Sequence, residues 1–453
     1  MTPKEIAPLR QTIYALASGR GVAGVAVIRL SGPESFAALA ALTNNHAQAE
    51  PRQMVRRDLF DPESGDLLDR AMAVRFAAPA SFTGEDVVEL FLHGGRAVIE
   101  AVIVACGSIA GLRMAEPGEF TKRAFLNGKL DLLKAEALND LVQAETTAQR
   151  RQALGQYDGR LGEIYDDWRD RLIKLAAYVE AEIDFTEEDL PAELGQSVVL
   201  PIVTLKTELE RHLADGRRGE RLREGVSIAI LGAPNVGKSS LLNALADRDV
   251  AIVSEIAGTT RDVIDVHLDI GGYPVIVADT AGLRKTADQV EDEGIRRALA
   301  RAEAADLKIL LADGPESASS WPQELEQIPA VDIIRVVNKS DLNAGLEKPA
   351  PLWEKALAIS AKTGDGLDTL LNVLEQQVAS RFDQVGTVWL TRQRHRELVA
   401  SAASALSRAA DGMDIELIAE DLRLAIRDLG RITGRVDVED ILDVIFAEFC
   451  IGK

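Results

Sequence analysis

Gly232-Ala-Pro-Asn-Val-Gly237-Lys238-Ser239 has the spacing G-x-x-x-x-G-K-S, which is suited to holding phosphate. Glycines let backbone N–H groups turn inward around phosphate oxygens, and a following helix adds positive potential at its N-terminus. Lys238 then reaches the terminal phosphates, and the Ser239 hydroxyl binds Mg2+. A second loop, Asn338-Lys339-Ser340-Asp341, selects the base. The Asp341 carboxylate can accept from the guanine ring N–H and the exocyclic amine together. Adenine offers neither donor in that arrangement, so a buried carboxylate left unpaired penalises ATP. Ser360-Ala361-Lys362 supports the base from its other edge.

Two further runs respond to the γ-phosphate. Asp279-Thr280-Ala281-Gly282 places Asp279 to hold Mg2+ through water and the Gly282 N–H to sense the phosphate. Gly258-Thr259-Thr260-Arg261-Asp262 offers Thr260 as a second hydroxyl for Mg2+. Residues from about 225 to 380 therefore read as a GTP-binding, GTP-hydrolysing unit of the P-loop class. Leu283 stands after the second run, where a Ras-type site has a glutamine to orient the attacking water. Leucine cannot do that, so hydrolysis requires another water-positioning group and another positive charge. Asp288, Glu291, Asp292 and Glu293 follow, and spacing alone does not choose among them.

The elements that position these loops are legible in outline. The loops follow the apolar runs Val226 to Leu231, Val275 to Ala278 and Ile333 to Val337, and Leu241 to Ala246 reads as helix after the first. Short Val/Ile-rich runs alternating with helical stretches predict βαβ units and a mostly parallel sheet. The first 125 residues mix the runs Val25 to Leu30, Ala71 to Phe76 and Asp86 to Leu92 with a helical stretch at Ala97 to Cys106, predicting a small α+β domain. Leu130, Leu133, Ala137 and Leu141 begin an amphipathic helical texture that lasts to about Arg223. Helix returns after about Arg381, with Ile418, Leu422, Ala425 and Leu429 on one stripe and Ile441, Ile445 and Phe449 on another. The simplest packing joins both helical blocks into one bundle with the GTPase inserted between its halves. The expected division is 1–127 α+β, 128–223 helical, 224–380 GTPase and 381–453 helical.

A chain of 453 residues suggests roughly three units of ordinary size. Hydrophobic residues at 47% and charged residues at 27% exclude disordered and fibrous classes. A net charge of −21 argues against a general nucleic-acid coat, so any RNA contact must be local or shared. Basic clusters at Arg150 and Arg151, at Arg217, Arg218, Arg221 and Arg223, and at Arg392, Arg394 and Arg396 are expected to be solvated helix faces. No targeting segment or apolar span is evident, and two cysteines in so long a chain suit a reducing compartment, so a cytoplasmic location is expected. Five histidines with no close Cys/His grouping make a zinc site an unpromising reading. Cys106 is expected in the core. Cys450 has two readings, a small buried hydrophobe in a structural or site-lining role, or a catalytic nucleophile whose thiol is activated by the basic terminus beside it. His93 in Leu92-His93-Gly94-Gly95 is read as structural, with a ligand contact as the alternative.

Several runs are more specific than a GTPase requires. Phe82 to Asp86 (FTGED), the PGEFTKRAFLNGKLDL stretch from Pro117, the Gly-Thr-Thr-Arg-Asp switch and the terminal Cys450-Ile451-Gly452-Lys453 resemble the MnmE (TrmE) family of bacterial tRNA modification GTPases, over essentially the whole chain. The resemblance implies a homodimer that acts with the flavoprotein MnmG, as a heterotetramer, on the C5 position of the wobble uridine of certain tRNAs. A folate one-carbon unit, as formyl- or methylene-tetrahydrofolate, would be held by Arg29, Glu89, Lys129 and Lys453. It implies nucleotide contacts at Asn235, Val236, Gly237, Lys238, Ser239 and Ser240, at Ser254, Glu255, Ile256, Ala257, Gly258, Thr259 and Thr260, at Asp279, Thr280, Ala281 and Gly282, and at both base loops, Asn338 to Asp341 and Ser360 to Lys362. K+ replaces an arginine finger in this family, which assigns its ligands here to the Asn235 side chain and to Ser254, Ile256 and Thr259. Ser254 stands where other members have threonine. Glu291 is implied as the water-orienting group, with Lys238 as its catalytic companion. A ribosome-assembly GTPase switch is the alternative, and it would carry a basic RNA-binding appendage in place of the acidic helical flanks seen here.

Overall fold

The computed structural model describes residues 11–19, 21–44, 50–184, 194–215, 217–233, 235–248, 250–252, 265–278, 304–314, 332–342, 353, 355–382, 389–412, 414–436, 442, 445–447 and 449–452. The chain divides into two compact units.

The first unit takes Met1–Asn139, Tyr157–Arg169 and Ile426–Lys453. Its sheet has the order β3-β4-β5-β2-β1-β6, with β1 Thr12–Leu16, β2 Ala23–Ser31, β3 Val55–Phe60, β4 Leu67–Phe76, β5 Val87–Gly94 and β6 Leu112–Met114. Neighbours are antiparallel except β1 and β6. Strand side chains alternate between faces. Ile28, Leu30, Val88, Leu90 and Leu92 turn to one face, where they pack with Val102, Ala105 and Cys106 of α2 (Arg96–Ser108), following α1 (Ser35–Leu42). Arg29 and Glu89 are cross-strand partners on the other face. Cys106 is fully buried, as expected, and burial pushes its thiol up to about 12.

Helix α3 (Glu119–Leu126) ends in a turn that makes sense of the run FLNGK. Gly128 adopts φ +66°, its N–H donates to the Phe125 carbonyl at 2.9 Å, and the Lys129 N–H donates to the Ala124 carbonyl at 2.8 Å. Those are the two bonds of a Schellman ending, which requires a left-handed residue at this place, and glycine supplies it without strain. The next helices in chain order are α4 (Leu132–Gln143), α5 (Thr147–Tyr157) and α6 (Arg160–Asp184).

The second unit takes Asp140–Gln156 and Asp170–Ala425. Its sheet has the order β12-β11-β10-β7-β9-β8, from β7 Val226–Leu231, β8 Asp265–Ile270, β9 Tyr273–Ala278, β10 Leu307–Ala312, β11 Ile333–Val337 and β12 Leu357–Ala358. All pairs are parallel except β8 with β9. Every residue of β10 is buried, as a strand covered on both faces demands. Helix α9 (Lys238–Ala246) covers the sheet with Leu241, Leu242 and Leu245; α10 (Leu367–Phe382) uses Leu367, Leu370, Leu374 and Val378, a three-and-four spacing.

The helical blocks on either side of the GTPase segment meet, as their sequences predict. Helix α7 (Leu194–Leu213) packs on α11 (Gln393–Asp411), and Lys206 Nζ donates to Ser407 Oγ at 3.1 Å. Helix α12 (Ile415–Thr433) buries Leu422, Ala425 and Leu429 of the predicted stripe, with Ile418 half-buried. The short α8 (Arg218–Glu224) leads into β7. Here the expectation of solvated basic faces is corrected for Arg221, Arg223, Arg392 and Arg396, while Arg150, Arg151 and Arg217 are exposed as expected. Arg223 and Arg392 both donate to Asp140 Oδ1, at 2.9 and 2.7 Å, Arg221 pairs with Asp306 at 2.6 Å, and Arg396 bridges Asp215 and Glu220 at 2.6 and 2.7 Å. These arginines are spent on internal pairs that fix α8 to its neighbours. Among the described residues no helix is long and apolar enough to cross a membrane.

Candidate functional site

The phosphate loop grows from the C-terminal end of β7, the central strand end at which open parallel sheets bind ligands. Gly232 is required by space, because a Cβ there would lie 2.6 Å from the Leu311 carbonyl oxygen. Gly237 is required by space and by its backbone, since it adopts φ +100° and its Cβ would lie 2.3 Å from Asn338 Nδ2. Gly237 is also the N-cap of α9 and makes no side-chain cap, so the first turn offers its N–H groups to a ligand. Lys238 Nζ donates to the Gly232 and Ala233 carbonyls at 2.7 and 2.9 Å, folded back over the loop that would surround the phosphates. Ser239 follows in the same first turn, and its hydroxyl chemistry suits Mg2+.

The loops Asn338 to Asp341 and Ser360 to Lys362 converge on this loop. Asn338, 2% exposed, donates its amide to the Val236 carbonyl at 2.8 Å and accepts from the Ala361 N–H at 3.0 Å, so one side chain ties three loops together. Ser360 Oγ donates to Asp341 Oδ1 at 2.7 Å, which orients the carboxylate. Lys339 Nζ donates to the Asn235 carbonyl at 2.9 Å and to Asp313 Oδ2 at 2.7 Å. Asn235 and Lys339 both hold left-handed backbones, φ +65° and +62°, a strained conformation for side-chain-bearing residues that concentrates at functional sites. Asp313 was not anticipated; its signal was an acid directly after a buried strand that is apolar but for Lys308. Ser240 lies in α9, and Ser340 and Lys362 lie in the converging loops. Ser254, Glu255, Ile256, Ala257, Gly258, Thr259, Thr260, Asp279, Thr280, Ala281, Gly282 and Glu291 lie outside the described residues.

A second site stands on the first unit's sheet. Arg29 Nε donates to Glu89 Oε1 at 2.9 Å, with the two side chains 21% and 18% exposed. The Arg29 guanidinium lies 5.3 Å from the Phe82 ring centre and 5.6 Å from that of Phe120. Among the described residues its two terminal nitrogens and Glu89 Oε2 take no hydrogen-bond partner. A half-buried cation and carboxylate with unspent donors and acceptor, walled by two aromatic rings, fit a flat heteroaromatic ligand with N–H donors and an anionic tail. Lys129 Nζ reaches the Pro79 carbonyl at 3.0 Å, beside the FTGED run. The terminal run packs nearby: Ile451 bridges to Pro117, and a Cβ on Gly452 would meet the Leu16 carbonyl oxygen at 2.1 Å, at the strand position next to Ala15, the partner of Arg29. Lys453 lies outside the described residues. Phe82 and Phe120 were missed as site residues, although both fall in motifs singled out from sequence. Cys450 is exposed, which removes the reading of a buried hydrophobe. His93 is exposed too, and its Nδ1 lies 2.7 Å from Asp69 Oδ1.

Comparison with known proteins follows the same division. The family described as GTP-binding protein TrmE N-terminus matches residues 12–129, and that described as MnmE helical domain matches residues 132–450. A tRNA modification GTPase MnmE of Parvibaculum lavamentivorans is 56% identical over 447 residues, covering 98% of this chain and 100% of that protein. Another, from Paramagnetospirillum magneticum, is 56% identical over 446 residues with coverage of 98% and 100%. The mitochondrial 5-taurinomethyluridine-[tRNA] synthase subunit GTPB3 of Danio rerio is 46% identical over 475 residues, covering 98% of this chain and 94% of that protein. These matches over nearly the whole length mean that the chain belongs to the MnmE (TrmE) family of tRNA modification GTPases and is a GTP hydrolase.

Proposed function

We propose that the chain is a K+-activated GTPase that works with the flavoprotein MnmG to add an aminomethyl or carboxymethylaminomethyl group to C5 of the wobble uridine of certain tRNAs. The observation that carries the reading is the presence in one chain of two unlike sites, a guanine-selecting phosphate cradle and an aromatic-walled Arg29–Glu89 pair. Asp341, oriented by Ser360, reads the guanine edge; Lys238 and the first turn of α9 receive the phosphates; Ser239 and Thr260 hold Mg2+. Leu283 leaves the attacking water without an orienting side chain, and Glu291 takes that part. The Asn235 amide oxygen, on a loop bordering the phosphates, suits K+, with main-chain oxygens of Ser254, Ile256 and Thr259 completing the set. K+, when bound, supplies the positive charge that an arginine finger supplies elsewhere. Arg29, Glu89, Lys129 and Lys453 hold formyl- or methylene-tetrahydrofolate, which supplies the one-carbon unit. The proposed division is 1–127 folate-binding and dimerising, 128–223 and 381–453 helical, and 224–380 GTPase, in a homodimer.

The test is GTP turnover in K+ against Na+ at equal ionic strength, repeated with Glu291→Ala. The reading predicts strong stimulation by K+ that Glu291→Ala abolishes while GTP binding survives. Equal slow rates in both salts would remove K+ from the mechanism, and unchanged turnover in the variant would remove Glu291.

A further inference from the structure

Among the described residues Arg123 is the largest fully buried side chain, and the folate site as proposed above does not use it. It projects from α3, its side chain wholly inaccessible, into a cluster of four charges. Its Nη1 donates to Glu85 at 3.0 and 3.3 Å; its Nη2 donates to Glu119 Oε1 and to the Gln11 carbonyl, each at 2.9 Å. Arg113 closes the cluster from outside with a two-pronged pair to Glu119. Burial would raise the Glu119 carboxyl, but the Arg113 fork, the Glu116 N–H and Arg123 outweigh it and hold Glu119 below the usual carboxylate range. Two arginines and two carboxylates balance, so the cluster is neutral and tolerable in the interior.

Its place gives it a use beyond stability. Glu85 belongs to the FTGED turn, and the same carboxylate accepts from Ser31 Oγ at 2.7 Å, which in turn meets Thr83 Oγ1 at 2.7 Å. The Thr83 carbonyl accepts from Asn127 Nδ2 at 2.7 Å. The turn that carries Phe82 is thereby fastened from beneath by Arg123 and from the side by the end of α3. Phe82 is the wall over the Arg29 guanidinium, and Phe120 from the same helix as Arg123 is the other. Gly84 has φ +79°, and a Cβ there would lie 3.3 Å from Lys129 Cγ, so the turn packs against the stem of that lysine.

We infer that Arg123 is a positioning residue for the Arg29–Glu89 site, holding Phe82 and Lys129 at the spacing a pteridine ring requires. This rests on the folate reading of that site. A charge-assisted fork to Glu85 is directional, so lysine, a point charge on a flexible stem, keeps the charge balance but not the turn's position.

The test is direct titration calorimetry of 5-formyltetrahydrofolate on the full-length protein, with melting temperature and GTP turnover measured on the same samples. The variants are Arg123→Lys, Glu85→Gln and, as comparison, Arg113→Lys, which disturbs the same cluster without touching the FTGED turn. Arg123→Lys and Glu85→Gln should weaken the folate about tenfold with GTP turnover unchanged, and Arg113→Lys should lose stability with less than a twofold change in affinity. Wild-type affinity in Arg123→Lys and Glu85→Gln, or an affinity loss in all three variants that tracks melting temperature, overturns the inference and leaves the site reading standing. A wild-type protein that takes up no reduced folate overturns both.

Discussion

Asn338→Ala isolates the part of nucleotide recognition that depends on loops being held together. In the wild type the buried amide satisfies two backbone groups, the Val236 carbonyl at 2.8 Å and the Ala361 N–H at 3.0 Å. Truncation leaves both unpaired, and each buried orphan costs about 1–3 kcal/mol. Part of that cost falls on the free protein, where the loops relax apart. Binding must then rebuild the arrangement, so about 2–3 kcal/mol should appear as weaker affinity, roughly 30- to 150-fold in Kd. Asn338→Asp separates the two bonds: it keeps the acceptor for the Ala361 N–H but sets an anionic oxygen against the Val236 carbonyl. It should lose affinity at least as badly as alanine, because a like-signed contact replaces a vacancy. Fluorescent guanine nucleotide titrations measure both variants, with circular dichroism confirming the sheet. A Kd within threefold of wild type in Asn338→Ala would refute the reasoning, since the tie would then have no part in shaping the site.

Asp341→Asn should lower GTP affinity more than a hundredfold and improve binding of xanthosine triphosphate, because an amide offers a donor where the xanthine edge offers an acceptor; competition binding with the two nucleotides decides it. Gly237→Ala should abolish nucleotide binding, since a Cβ 2.3 Å from Asn338 Nδ2 expels that amide; retained binding would mean that the loop has another arrangement. His212 is driven down to about 4 by burial, with Arg396 and His395 adding to it and Asp215 opposing. Its unfolded value is near 6.5, so the unfolded chain binds the extra proton between those values and stability rises with pH there. Up to about 3 kcal/mol is fully present above pH 6.5 and lost as pH falls toward 4. His212→Gln should flatten the fall of melting temperature across that window, and an unchanged slope would count against it. A thiol reagent at neutral pH should find one group per native chain, the exposed Cys450, and a second only on unfolding, since Cys106 is buried with its thiol raised to about 12.

The nucleotide chemistry was legible in the residues because it is local. Glycines at fixed spacing after an apolar strand, and an Asn-Lys-x-Asp run after another, must lie at strand ends, and a parallel sheet brings such ends to one edge. The helical flanks showed their apolar stripes in the same way. What lay beyond the sequence was pairing over long separations. Spacing cannot say that Arg223 and Arg392 share Asp140, so arginines read as solvated turned out to be structural. Nor can it say that the Phe82 ring lies on Arg29, or that Gly452 comes to rest on the Leu16 carbonyl. Arg123 shows the limit most clearly. In the linear chain it is one basic residue in a helix that also holds Lys122; only the closing of the sheet over α3 buries it, and only burial makes its two carboxylates obligatory. The residue types and their local spacing determined which chemistry the chain carries. Tertiary packing decided which charges meet, because that depends on which surfaces lose water together.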